Sequence, residues 1–331
     1  MTSHDSEVYA SQQAAPTSAA RAPTLLRWLI DFSACDWLVL VYLANLNLTA
    51  FLAHNDPART YSLMALGGLL AFFLLALVLA RGLKVPIWGA FTHRTSLICA
   101  GSGSYLAFHQ FLPLVNPNAF DHQLYQLDLA LFGFEPAMYF DRFVTPATTE
   151  WFAFFYFGYF ILLSAFVFPL LFVAKDEKLL TVFTLSMLIV VCVGQTIYML
   201  VPGFGPAVAF PELFQNKLEG GTWWNLVLYT VTNGGAHKDI FPSLHTALPL
   251  VVWLFTFSRR KDIPYRYLWP PLGFIVINII IATMFLRWHY VIDVVAGALL
   301  AVAAHFIARR VAEWEPRRRQ ALGLGPTWPG F

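Results

Sequence analysis

Residues 285–301 read FLRWHYVIDVVAGALLA. His289 and Asp293 stand at the start of an apolar run that meets no further charge until Arg309. That run has the ~20 residues a bilayer-crossing helix needs. Residues 241–255, FPSLHTALPLVVWLF, repeat the pattern, with Ser243 and His245 at the head of another apolar run. Ionisable side chains near membrane depth are costly and mark function by default. These two stretches therefore point to a membrane fold and to where its chemistry sits.

The rest of the chain is built in the same way. Of its 331 residues, 58% are hydrophobic and 12% charged, about half the ~25% charge of a soluble domain. The apolar residues gather in eight stretches, at about 36–55, 61–81, 90–115, 150–174, 179–201, 242–258, 268–287 and 290–310. The expected fold is an all-α integral membrane protein of about eight transmembrane helices. With both termini cytoplasmic, sixteen Lys and Arg fall inside, and Arg59, Arg142, Lys217, Lys238 and Arg287 fall outside. Cytoplasmic segments carry the excess of basic residues in membrane proteins. The histidines then lie at the extracytoplasmic face, of the plasma (inner) membrane if the chain is bacterial.

Residues 1–23 are small and polar and lack the apolar core of a signal peptide, so a disordered cytoplasmic tail is expected there. Residues 24–89 hold two N-terminal transmembrane helices. Residues 311–331 form a basic cytoplasmic tail, expected along the inner membrane surface. Two outer segments, 116–149 and 202–241, are longer than turns and flank the histidines, which favours a functional role. Cys35, Cys99 and Cys192 show no paired spacing for a disulfide framework or a zinc site.

His289 and Asp293 are four residues apart, on one face of a helix and within reach of each other. A carboxylate bonded to one imidazole nitrogen fixes the tautomer and leaves the other nitrogen as a nucleophile or base. Chain topology puts His245 at the same depth, where a second imidazole could protonate a leaving oxygen and deprotonate an acceptor. Such a pair implies a phosphohistidine intermediate. The same spacing also serves a plain helix-surface hydrogen bond or part of a metal site. Isolated histidines such as His54, His93, His109 and His305 are read as structural.

PSLH at 242–245 and HYVID at 289–293, followed by Gly297, resemble the paired motifs of the type 2 phosphatidic acid phosphatase superfamily. They are similar in particular to the branch containing inositol phosphorylceramide synthase and its bacterial relatives. YMLVPGFGP at 198–206 and LDLALFGFEP at 127–136 add to the likeness. The resemblance covers about residues 90–310, a phosphatidic acid phosphatase-like catalytic domain of six core helices, and the first two spans look like an addition. It implies His289 as nucleophile, Asp293 as its orienter, His245 as general acid then base, and Ser243 as a phosphate ligand.

The hydrolytic members carry an arginine six residues before the nucleophile, where this chain has Thr283, and an upstream Lys/Arg motif without a counterpart here. Phosphate charge still has to be balanced. Lys238 and Arg287 are the outer basic residues nearest the histidines, the alternatives being a solvated loop charge and an interfacial anchor respectively. The PGFGP loop offers backbone N–H groups as another source, or is simply a helix-ending turn. The expected activity is phosphoryl or phospho-headgroup transfer from a lipid phosphoester to an alcohol acceptor. Its alternative is hydrolysis by water of a lipid phosphate or diphosphate. Neither metal nor organic cofactor nor nucleic acid is expected. A proton-coupled transporter is the rival from another class, and it would place polar residues at mid-membrane.

Overall fold

The computed structural model describes residues 24–234 and 236–328; the expected N-terminal tail at 1–23 lies outside the described residues. Thirteen α-helices follow in chain order: α1 Thr24–Ile30, α2 Ala34–Leu52, α3 Pro57–Leu77, α4 Pro86–Val115, α5 Asp121–Phe132, α6 Pro136–Asp141, α7 Pro146–Phe172, α8 Glu177–Leu200, α9 Pro206–Ala209, α10 Thr222–Gly234, α11 Leu244–Ser258, α12 Tyr265–Phe285 and α13 Val291–Ala321. A π turn, Val78–Gly82, extends α3. Among the described residues there is no strand. Gly203 and Asp239 form one isolated parallel bridge.

Helix starts follow from short polar side chains set before each apolar run. Asp56, Thr145 and Asp176 cap α3, α7 and α8 by accepting bonds from Ala58, Thr148 and Leu179 amides. Each supplies a partner to a backbone donor that a helix start leaves unpaired. Pro57 and Pro146, at first helical positions, lack that donor altogether.

Among the described residues six helices are long and apolar enough to cross a membrane: α2, α3 with its π turn, α7, α8, α12 and α13. That is fewer than the eight expected. The other two stretches are helical as well, but α11 is an apolar helix of 15 residues. The 30-residue α4 is diluted by polar residues such as Thr92, His93, Arg94 and Ser104.

α8 is the central post: 67% of its apolar window is buried, against 28–39% for the other five. α13 packs against it and against α11 through a stripe of small residues, Gly297, Ala301, Ala304, Ala308 and Ala312, all buried. Their three- and four-residue spacing keeps them on one helix face, and lack of side-chain bulk lets backbones approach in lipid, where packing drives association. At mid-bundle the Tyr42 hydroxyl donates to Gln195 Oε1 (2.6 Å) and Ser104 Oγ (2.9 Å), tying α2 to α8 and α4.

The end opposite the histidines holds a second polar cluster. Asp36 on α2 pairs with Arg81 and His93 at 2.6 Å each, and all three are buried. The C-terminal segment does not lie loose along the surface. α13 runs on to Ala321, and the chain beyond it buries Trp328, whose Nε1 donates to Thr181 Oγ1 at 2.9 Å. Arg81 also donates to the Thr327 carbonyl (2.9 Å), and Arg319 pairs with Asp31.

Candidate active site

Three chain segments meet at the other end: 201–209, 237–245 and 286–293. Helix α5 holds them in register from outside the bundle. Its Asp121 accepts from the amides of Phe204 (3.0 Å) and Gly205 (2.8 Å) and from the Tyr290 hydroxyl (3.1 Å). Two turns further, Asp128 accepts from the amides of Val291 (2.7 Å) and Ile292 (2.9 Å), the first of α13. A carboxylate is favourable there because the helix N-terminus presents free donors and the positive end of its dipole. Asp293 completes the cap by accepting from the Tyr290 amide at 3.0 Å.

Close backbone contacts fix the remaining degrees of freedom. The Gly297 Cα lies so near the start of α11 that a Cβ would come within 2.4 Å of the Ser243 carbonyl oxygen. The Ser243 amide donates to the Asp293 carbonyl at 3.0 Å, so the two histidine-bearing helices are joined directly at their mouths. Gly205 has φ +87°, and a Cβ there would lie 2.3 Å from the Trp288 carbonyl oxygen.

This scaffold brings His245, His289 and Asp293 together. His289 Nδ1 lies 3.4 Å from Asp293 Oδ2, and both side chains are buried. The His245 ring stands with its centroid 6.3 Å from that of His289. It stacks on Tyr156 at 4.5 Å and leans on Tyr159 at 4.3 Å. Its Nε2 is buried and meets no hydrogen-bond partner among the described residues. Burial pushes the His289 imidazole down to about 4, against a smaller opposing pull from the Asp239 carboxylate. The ring is therefore neutral at ordinary pH.

The other sequence candidates sit elsewhere. Ser243 caps α11, its Oγ accepting from the Thr246 amide at 3.2 Å, and the residue is fully buried. Lys238 Nζ turns outward to the Pro117 and Asn118 carbonyls, at 2.7 and 3.1 Å. Arg287 is committed to Asp141 and to the Asn216 carbonyl, both at 2.5 Å, and lies over Phe214. The PGFGP amides are engaged too: Gly203 donates to the Lys238 carbonyl, and Phe204 and Gly205 to Asp121, while the following Ala207 amide donates to the Arg287 carbonyl. Thr283 keeps a structural part, its carbonyl accepting from Trp288 and His289 amides.

Both histidines line a cavity of about 750 Å³. It runs between α4, α7 and α8, from Tyr198 down to Phe183 on α8, a span of ~22 Å at 1.5 Å per residue. Its walls are mainly Leu, Val, Ile, Phe and Tyr, and among the described residues no Lys or Arg lines it. The exposed lining residues fall in two groups. Ser102 and Leu106 on α4 with Phe160, Ser164 and Phe168 on α7 form one; Val208 and His237 at the histidine end form the other. Asp239 also lines it, its Oδ2 accepting from the Tyr105 hydroxyl at 2.7 Å. Among the described residues no group of three His, Cys, Asp or Glu side chains could hold a metal ion.

Sequence reasoning missed Asp239, Tyr105, and the α5 acids as organisers of the site. Asp121 and Asp128 had a signal, their seven-residue spacing on an amphipathic outer helix. Asp239 had only its place two residues before FPSLH.

The fold is that of an all-helical integral membrane protein, with two histidines and a carboxylate at one end of an apolar cavity. The chain belongs to the PAP2 superfamily, whose family model matches residues 122–307. No curated protein and no solved structure showed a significant match. Members of the superfamily are phosphatases and phosphotransferases that act on lipid phosphates in a membrane, and membership suggests activity of that type here. The matched stretch contains His245, His289, Asp293 and Asp128.

Proposed function

We propose that the protein is a phosphotransferase of the extracytoplasmic membrane face, moving the phospho-headgroup of a lipid phosphoester to an alcohol through a phosphohistidine. The observation that carries this reading is the pair of imidazoles on one cavity wall. Their ring centroids stand 6.3 Å apart and both rings line the same cavity. One ring is backed by a carboxylate; the other has a buried nitrogen that a bound oxygen would complete.

His289 attacks phosphorus while Asp293 holds its tautomer. The N–P bond forms, the P–O bond to the lipid alcohol breaks, and His245 gives that oxygen its proton. The acceptor alcohol then gives a proton to His245 as its oxygen displaces His289. With water as acceptor the same steps give hydrolysis. The exposed gap between α4 and α7 suits sideways access by a lipid, and the opening at Val208 and His237 suits an acceptor from the aqueous side. The basic-residue bias supports an extracytoplasmic site. Motif likeness supports the inositol phosphorylceramide synthase-like branch.

The test is incubation of purified protein with headgroup-labelled lipid phosphoesters, with and without candidate alcohols. A phosphorylated alcohol is expected, with an acid-labile, base-stable label on the protein at His289. Release of free phosphate or headgroup phosphate, regardless of alcohol, would make it a phosphatase. Wild-type turnover by a folded His289→Ala variant would overturn the mechanism.

A further inference from the structure

We infer that the deep end of the cavity seats one hydrocarbon chain of the donor and measures it, with Leu97, Leu171, Phe183 and Thr184 as the floor that sets the preferred length. The inference rests on the phosphotransfer reading and adds a chain-length specificity to it. Its first ground is the shape of the cavity. Away from the histidines its lining is exposed at Ser102 and Leu106 on α4 and at Phe160, Ser164 and Phe168 on α7. At the deep end the four floor residues are all buried, Phe183 fully so. The apolar space is thus open at the side and blind at the bottom. A lipid that enters sideways keeps one chain in the gap, against the bilayer, and sends the other to the floor.

The second ground is what stands beneath the floor. Arg94, a turn below Leu97 on α4, donates from Nη1 to the Leu171 carbonyl of α7 at 2.5 Å. Its guanidinium lies over the Trp328 ring, and Trp328 Nε1 donates to Thr181 Oγ1 on α8 at 2.9 Å. Phe183 itself packs edge-on against Phe255 of α11, with ring centroids 5.2 Å apart. The helices that supply the floor are therefore tied together just below it. The hydrophobic effect does not discriminate between chains here, since a chain in the bilayer is already out of water. Fit does. A chain too short leaves a void and one too long must be compressed or bent back, and both cost free energy. Gly194 on α8 marks the histidine level, because a Cβ there would lie 2.6 Å from the side chain of Leu244, the neighbour of His245. From Gly194 to Phe183 the helix descends ~16 Å at 1.5 Å per residue. A straight chain advances ~1.25 Å per atom on ~1.5 Å single bonds, so about 13 chain atoms fit between the histidines and the floor.

The experiment reconstitutes the full chain in vesicles of one fixed carrier lipid. Labelled phosphatidic acids form a minor component, with one chain held constant and the other varied in two-carbon steps on either side of that length. Diacylglycerol formation is followed at fixed acceptor. The kcat/KM is expected to peak at one length and to fall about tenfold or more a few carbons beyond it. Only one of the two glycerol positions should show the peak, because the other chain lies in the gap. Phe183→Ala should move the peak to longer chains by about two to four carbons, the room of the lost ring. Met187 lines the tube one turn above the floor, and Met187→Trp should move the peak to shorter chains. A second readout needs no turnover: a phosphatidic acid with a diazirine at the end of its varied chain, irradiated with the wild type and with His289→Ala. The label is expected on the floor residues in both proteins. A flat or steadily rising length profile, equal peaks at both positions, a peak unmoved in the folded variants, or label confined to the gap between α4 and α7 overturns the assignment. Floor labelling without turnover of any lipid phosphoester would uphold the chain seat and overturn the phosphotransfer reading.

Discussion

His289 and Asp293 share one hydrogen bond, yet substitution at each should read differently. His289→Ala removes the attacking nitrogen and is expected to abolish turnover. Asp293→Asn preserves shape but favours the wrong tautomer, and a loss of ~10³–10⁴ in kcat is expected from the equivalent change in a protease triad; a near-normal Asn variant would show that the carboxylate does not orient the ring. Burial gives a second residue-level expectation. His289 is held at about 4, so it is a free nucleophile above that pH and is protonated as pH falls through it. The acid limb of kcat/KM reports the free enzyme and should have its midpoint near 4. A midpoint at the ordinary histidine value would mean a solvated ring. The meeting of these side chains was legible in sequence because an i, i+4 pair and a helix-mouth histidine are local patterns. The expected phosphate ligands were not, since the partners of Lys238, Arg287 and Ser243 are set by loops whose course no periodicity encodes. Asp239 becomes visible only when the chain folds it onto the same wall as residues far away in sequence.

At the scale of elements, the site depends on how two helix mouths are joined. Gly297→Ala would push a methyl into the Ser243 carbonyl. Helix starts rigidly packed on one another have nowhere to give, and overpacking of this kind costs ~1–3 kcal/mol. The variant should melt at lower temperature and lose activity through displacement of His245 from His289. An unaltered melting temperature and rate would show that α11 and α13 slide freely. Asp128→Ala tests the same joint from α5. Loss of a cap costs ~0.5–2 kcal/mol, and kcat should fall more than KM rises, because the shift falls on His289 and Asp293. The apolar helices were plain from hydropathy, as was each polar mouth. Their number was harder, since α11 is short and α4 carries buried polar residues that depress its hydropathy while meeting partners inside the bundle. Packing partners decide such cases, and sequence windows do not contain them.

Across the whole molecule, chemistry and anchoring occupy opposite ends. Asp36 gathers Arg81 and His93 where α2, α3 and α4 meet, and the Trp328 segment seals them. Removing one member of a buried ionic group leaves the others uncompensated and costs ~3–5 kcal/mol. Asp36→Ala should therefore lower the melting temperature in detergent by more than any substitution at the histidines, with turnover per folded molecule kept; equal melting would mean the cluster is hydrated. The N-terminal pair of helices read as an addition in sequence, but Asp36 and Tyr42 bind it into the bundle through contacts that hydropathy cannot register. The gap between α4 and α7 has a different kind of consequence. A reactant that arrives sideways through it is counted by its share of the bilayer plane, not by litres of solution. Blending the vesicle with an inert lipid should slow the reaction, whereas adding more vesicles of unchanged blend should leave the rate per protein as it was. The same protein would thus seem fast in a bilayer rich in its donor and sluggish in one where that donor is sparse, without any change at its histidines.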